Sequence, residues 1–268
     1  MKAFRALVYI LTTLCLAVTF VGAGLAVCMQ PLATTIFAGL ACPGYAENSP
    51  FTAEQLVEGA KATREYTVGN HNLDEFMQAE MSLNLQLYDT LGAKKVLSAD
   101  EANMLRKAVS EGPDTSAFSE AQTILAGLGY QYHNDEEVIS HLDDVYNVIF
   151  AAVPVLAVVA VLAIAGSIFV VRQREPRTTG AVFTVAGGII LAVFAGCGIW
   201  AAADFYSFFS AFHSLFFTGD SWVFYSDSLL ICTLPQAFWI CMGALWLGVT
   251  ALLSLISLVY GIKQLRKR

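Results

Sequence analysis

The chain sets four long apolar runs against a single long polar stretch. The runs are Ala6–Cys28, Val148–Val171, Gly180–Ala203 and, roughly, Ala237–Tyr260. At about 1.5 Å per residue each is long enough to cross about 30 Å of hydrocarbon as a helix. The polar stretch Cys42–Tyr146 carries helix signals of its own. Thr52-Ala53-Glu54-Gln55 and Ser98-Ala99-Asp100-Glu101 are capping boxes, in which side chains satisfy the orphan amides of a first turn. Gly112-Pro113 predicts the stop of the second of these helices. Asn134-Asp135-Glu136-Glu137 opens a further helix, predicted to run unbroken through His141 into the second span. In the third span Gly188, Ala192 and Gly196 recur every four residues, a stripe expected to admit a neighbouring backbone.

These elements predict an all-α fold: four transmembrane helices with a helical extracytoplasmic domain between the first and second spans. Three segments follow. Residues 1–41 form the first transmembrane helix and its outer flank. Residues 42–146 form the extracytoplasmic helical domain ending in the His141 motif. Residues 147–268 form a three-helix transmembrane region with an aromatic outer loop, 204–228.

Charge sets the expected orientation. Lys2 and Arg5, then Arg172, Arg174 and Arg177, then Lys263, Arg266, Lys267 and Arg268 account for nine of the fifteen basic residues, against Glu175 alone among the acids of those segments. The positive-inside rule therefore puts both termini in the cytoplasm and the two larger connections outside. The first apolar run exceeds the roughly 7–15 residues of a signal-peptide core, and Val27 is large for the position before a lipoprotein-type cysteine at Cys28, so an uncleaved span is expected.

Composition narrows the class. Of 268 residues 56% are apolar and only 14% charged, against about 25% charged in soluble domains. That excludes a water-soluble enzyme, a disordered chain and a disulfide-stapled module. A net charge of −7 leaves no basic surface for nucleic acid. No Asp, Glu, Lys, Arg or His lies within the four runs, which disfavours a proton-coupled transporter. Cys15, Cys197, Cys232 and Cys241 read as small hydrophobes. Cys28 and Cys42 flank the outer end of the first span, where a disulfide between them is an open alternative, and no CxxC spacing indicates a metal or redox motif.

Two of the four histidines stand out by placement. His71 and His133 sit in the polar stretch and read as surface residues without a role. His141 precedes Val148 by seven residues, about 10 Å along a helix, and Asp144 follows it at i+3 on the same face. His213 lies in the 204–228 connection, which holds ten of the chain's 32 aromatic residues. An interfacial aromatic anchor with an incidental histidine is one reading of that connection. A lipid-facing cleft using His213, Asp220, Trp222 and Asp227 is the other.

Two blocks of residues resemble a known family. His141-Leu142-Asp143-Asp144-Val145 is similar to the H-x-x-D-V motif of the lipoprotein intramolecular transacylases (Lit). Phe212-His213, Phe216-Phe217, Asp220-x-Trp222 and Asp227-Ser228-Leu229-Leu230 ahead of Pro235 resemble the family's second block. There are three departures: Gly219 replaces the usual Asn, Tyr146 replaces the usual basic residue after D-V, and the segment from about Lys94 to His133 is longer.

The resemblance implies an acyltransferase in the bacterial cell membrane, with its site at the outer face. It would move the sn-2 acyl chain of a diacylglyceryl-modified cysteine to that cysteine's own α-amino group, giving a lyso-form lipoprotein. His141 and His213 would be the acid/base residues. Asp144, Asp220, Trp222 and Asp227 would orient or position. Diacylglyceryl-modified lipoprotein N-termini and membrane lipid are the implied partners, with no metal or soluble cofactor. Three rivals stay open: a hydrolase using Ser210 or Ser214 with His213, a metal site built from the histidines and acids, and a non-catalytic membrane assembly or sensing protein whose outer domain binds a partner.

Overall fold

The computed structural model describes residues 2–91, 96–219 and 221–267. Its α-helices in chain order are α1 (Lys2–Cys28), α2 (Pro31–Ala41), α3 (Ala53–Val68), α4 (Leu73–Leu91), α5 (Ala99–Glu111), α6 (Ser116–Leu128), α7 (Glu136–Arg172), α8 (Pro176–Ala203), α9 (Phe205–His213), α10 (Leu229–Thr233) and α11 (Gln236–Leu265). No strand occurs among the described residues. Helices α1, α7, α8 and α11 are long and apolar enough to span a membrane, and they coincide with the four sequence runs. At 37 residues, α7 is about 55 Å long and outruns the hydrocarbon. The helix signal at Asn134–Glu137 thus does continue through His141 into a span.

The chain divides into two compact units: Met1–Met29 with Phe150–Phe216 and Gly243–Arg268, and Gln30–Ile149 with Phe217–Met242. In the first, Leu16, Phe20, Ala163, Val170, Val182 and Ala186 form the interior. Polar side chains tie its helices together. Trp246 Nε1 donates to the Val21 carbonyl at 2.9 Å and Ser257 Oγ to the Phe183 carbonyl at 2.8 Å. Close approach of backbones is set by a different glycine stripe from the one expected. A Cβ on Gly187 would lie 2.3 Å from the Ser254 carbonyl oxygen, and one on Gly180 2.9 Å from that of Gly261, whereas Gly196 faces nothing within 4 Å. The stripe of α8 that meets α11 is therefore Gly180-Thr184-Gly187, one helix face away from Gly188-Ala192-Gly196.

The second unit holds two cores. One joins α2, α3 and α10 around Phe51, Leu56, Ala60 and Leu229. Helix α2, part of the outer flank expected for residues 1–41, supplies Ala38 and Ala41 to it. The other packs α4 against α5 and α6 around Met81, Leu105 and Phe118, so the long segment before His133 is a helical hairpin with its own core. Both capping boxes form, and hydrogen bonds to the Ser98 backbone amide and then its side chain hold the Glu101 carboxyl below its usual range. Helix α5 ends at Gly112, whose φ of 85° supplies the left-handed turn. Cys42 and Cys232 are buried free thiols. The Cys42 thiol donates to the Thr233 carbonyl at 3.5 Å, and burial, with Cys232 nearby, pushes it up to about 11. It is an inert packing group.

Candidate active site

Helix α7 starts where Asp135 accepts a hydrogen bond from the Val138 amide at 3.0 Å. The turn before it, Tyr130–Asn134, is strapped from two sides. Asn84 donates to the Tyr132 carbonyl at 2.9 Å, the Leu229 amide donates to the Tyr130 carbonyl at 2.9 Å, and Gln131 donates to Asp227 at 2.6 Å. Beneath the turn, His133 donates Nδ1–H to Glu80 at 2.7 Å and the Asn134 amide group donates to the same carboxylate at 2.6 Å. Glu80 is 2% exposed, so these charge-assisted bonds are what make its burial tolerable. A cavity of about 10 Å³, room for one water, adjoins Glu80, Asn134, Thr63 and Thr233.

About one and a half turns into α7, the buried His141 ring meets Phe217 in a T-shaped contact at 4.9 Å and Phe224 in a tilted one at 5.6 Å. Its helix neighbours Val138 and Leu142 anchor that stretch in a core with Tyr66, Phe76 and Leu230. The other side of the helix is clamped as well. Tyr66 donates its hydroxyl to Asp143 at 2.6 Å, and His71 Nε2 lies 3.6 Å from the same carboxylate. The His71 ring is stacked between Tyr66, at 4.5 Å, and Tyr146, at 3.7 Å. Burial, and then the bond to Asp143, raise the Tyr66 phenol well above its ordinary value. Asp144, the carboxylate that helical spacing selects beside His141, is exposed; its neighbour Asp143 is the bonded one.

His213 closes α9, a helix capped by Asp204, which accepts from the Ser207 amide at 3.0 Å. Its Nδ1 is 2.9 Å from the Phe209 carbonyl oxygen. A carbonyl only accepts, so Nδ1 carries the proton and the ring's lone pair sits on Nε2. The Phe209 ring covers the imidazole at 4.0 Å. Burial lowers the His213 pKa below 6.5, against the opposing pull of the Phe209 bond, and so favours the neutral base. Farther along α9, Phe212 packs edge-on against Trp246 at 6.1 Å.

The remaining candidates fall out unevenly. Asp227 is engaged by Gln131, and Trp222 is half-buried. Asp220 lies outside the described residues. Gly219 has a φ of 65°, a left-handed conformation that Asn is the other residue to tolerate, which accounts for that exchange. Ser214 turns its hydroxyl to the Ala211 carbonyl at 2.8 Å, a helix-end bond rather than a nucleophile's pairing. Among the described residues no three His, Cys, Asp or Glu side chains converge as metal ligands would.

Sequence reading missed His71, His133 and Glu80. The last had a detectable signal: Phe76, Glu80, Leu83 and Leu87 share the buried face of α4 at helical spacing, and an acid in an apolar stripe requires a buried partner.

The sequence matches the family described as lipoprotein intramolecular transacylase Lit over residues 64–239. No curated protein matches the chain. Among solved structures it is similar to the in meso structure of the membrane integral lipoprotein intramolecular transacylase Lit from Bacillus cereus. That match has a TM-score of 0.62 and 15% identity, covering 99% of each chain. It is also similar to a histidine-to-arginine mutant of that protein, at a TM-score of 0.58 and 14% identity, covering 99% of this chain and 93% of that one. At such identity these likenesses show the helical membrane fold. The family match spans most of the chain and takes in both histidine blocks, and the chain therefore belongs to the lipoprotein intramolecular transacylase family.

Proposed function

We propose that His141 and His213 carry the proton transfers of an acyl transfer within one lipoprotein molecule. The family makes the chain an integral-membrane acyltransferase of lipoproteins. In our reading the substrate is a diacylglyceryl-modified N-terminal cysteine. Its α-amine attacks the sn-2 ester carbonyl, a C–N bond forms, and the C–O bond to the glyceryl oxygen breaks. One proton leaves the amine and one arrives on the glyceryl oxygen. The products stay in one molecule, an N-acyl, S-monoacylglyceryl cysteine.

The observation that carries this reading is the state of His213. An α-amino group has a pKa of about 7.7–8.0 and is largely protonated at neutral pH, so a base must take its proton. His213 is held with its lone pair on Nε2 and is kept neutral by burial. The other imidazole, His141, then protonates the leaving oxygen and supports the developing oxyanion. The cyclic transition state runs through N, Cα, Cβ, S, two glyceryl carbons, the ester oxygen and the carbonyl carbon. Such a ring is floppy, so holding a reactive conformer is much of the catalysis. The aromatic walls, Phe217 and Phe224 at His141 and Phe209 and Phe212 at His213, suit acyl chains.

Asp144, Asp220, Trp222 and Asp227 are assigned to orientation and positioning. The distribution of arginine and lysine supports cytoplasmic termini and a site on the outer face. The test is mass spectrometry of lipoprotein N-termini in a host without other N-acyltransferases. Wild-type protein yields N-acylated lyso-form product, and His213→Ala or His141→Ala abolishes it. Unchanged N-acylation in either variant removes that histidine from the reaction.

A further inference from the structure

Helices α1 and α8 leave a lateral groove of about 610 Å³ between them. Its walls are apolar, with Ile10 and Leu14 on α1 facing Ala181, Val185 and Ile189 on α8, and Arg177 stands at one end. Tyr9 also lines it, and its hydroxyl is buried with no hydrogen-bond partner among the described residues. From Arg177 to Ile189 the groove follows α8 for twelve residues, about 18 Å. That is the depth of one leaflet, half of about 30 Å of hydrocarbon.

The charges at the groove's end are specific. Glu175, the acid nearest in sequence, is occupied: Arg5 pairs with it at 3.4 Å and the Thr178 hydroxyl donates to it at 3.1 Å. Arg177 enters no ion pair among the described residues and is exposed, with Arg172 and Arg174 just before it in the chain. A planar guanidinium beside a leaflet-deep apolar trough matches a phosphate joined to an acyl chain.

We propose that this groove is a binding site for one anionic glycerophospholipid. One acyl chain lies between α1 and α8 and the phosphate rests on Arg177. The lipid completes the α1–α8 contact where side chains leave it open. A diacylglyceryl-cysteine has no phosphate to offer Arg177, so this is a site for membrane lipid and not a second seat for the acyl donor. The inference is independent of the histidine chemistry.

The experiment is native mass spectrometry of the full chain taken from nanodiscs of phosphatidylglycerol or phosphatidylcholine. The wild type is expected to retain one phospholipid, with about fivefold preference for phosphatidylglycerol, the value of one arginine near an anionic surface. Val185→Trp fills the trough and is expected to lose the lipid. Leu14→Trp fills it from the opposite wall and reads the same site should Val185→Trp fail to insert. Ile199→Trp, an exposed position of α8 outside the groove, is expected to keep it. Arg177→Gln is expected to lose the preference for phosphatidylglycerol. A wild type without retained lipid, or full retention in the groove-filling variants, overturns the site. Surviving preference in Arg177→Gln overturns the headgroup assignment.

Discussion

Tyr146 lies flat on His71, with ring centroids 3.7 Å apart and planes within 3°. The first residue comes from the helix that carries His141, the second from the turn between α3 and α4. His71 adopts a left-handed φ of 54° to reach this position, and its Nδ1 donates to the Tyr66 carbonyl at 2.8 Å. Histidine is among the residues that enter this region with least strain. The stack explains why an aromatic ring replaces the basic residue that the family motif places after D-V. Together with the Tyr66–Asp143 bond it pins the stretch of α7 that carries His141 against the α3–α4 turn.

Tyr146→Phe keeps the stacked ring and is expected to unfold within about 0.5 kcal/mol of wild type. Tyr146→Lys, which installs the family's charge, loses the stack and is expected to cost about 0.5–1.5 kcal/mol. Thermal unfolding in detergent distinguishes them. Equal stability of the two variants would show that the ring contact contributes nothing.

The pH profile tests the state of His213. Because burial lowers its pKa, the imidazole stays neutral as pH falls past 6.5 and protonates only at a lower value. The acid limb of the activity profile should therefore have its midpoint below 6.5. Phe209→Ala removes the ring that covers the imidazole at 4.0 Å but keeps the carbonyl that accepts from Nδ1. The midpoint is expected to move upward in this variant, since less burial favours the charged form. Initial rates of N-acylation across pH 5–8 provide the readout, and a downward shift contradicts the assignment.

How much of this was legible before any coordinates depends on the range of the interaction. The four spans and the start of α7 follow from uninterrupted apolar runs and a local cap, and the structure returns a helix over each run that reaches beyond it at one end or both. Both capping boxes, three residues across, were equally readable. The supports of α7 were not. Glu80 and His133 are 53 residues apart, and Tyr66 and Asp143 are 77 apart; no periodicity links such partners. The glycine stripe failed for a related reason. Gly-x-x-x-small spacing occurs on more than one face of α8, and only the partner helix decides which face is used. Helical spacing puts Asp144 on the face of His141, and nothing local signals that its neighbour Asp143 accepts from Tyr66.

The buried carboxylate beneath the α7 entrance should be among the costliest polar groups to remove. Glu80→Ala leaves His133 and Asn134 buried without their acceptor and opens a void, an expected loss of about 3–5 kcal/mol. Glu80→Gln keeps the shape but sets an amide donor against one of two donors, for about 1–3 kcal/mol. Thermal unfolding of the purified variants should rank them wild type, Gln, Ala. A stable Glu80→Ala protein would mean that the cluster is not holding the turn.

Two glycines of α8 make opposite predictions from the same chemical change. Alanine at Gly187 places a Cβ 2.3 Å from the Ser254 carbonyl oxygen and 2.9 Å from the Leu258 amide nitrogen, both backbone atoms that cannot rotate away. Helix α11 must then move outward, for about 1–3 kcal/mol and a fall of several degrees in Tm. Alanine at Gly196 meets nothing within 4 Å, so only the helix propensity changes, in favour of alanine by up to about 1 kcal/mol. Gly187→Ala should lower Tm in detergent while Gly196→Ala leaves it unchanged or raises it. If both fall equally, the α8–α11 contact is not where the Gly180-Thr184-Gly187 stripe puts it, and the expected Gly188-Ala192-Gly196 face has to be restored.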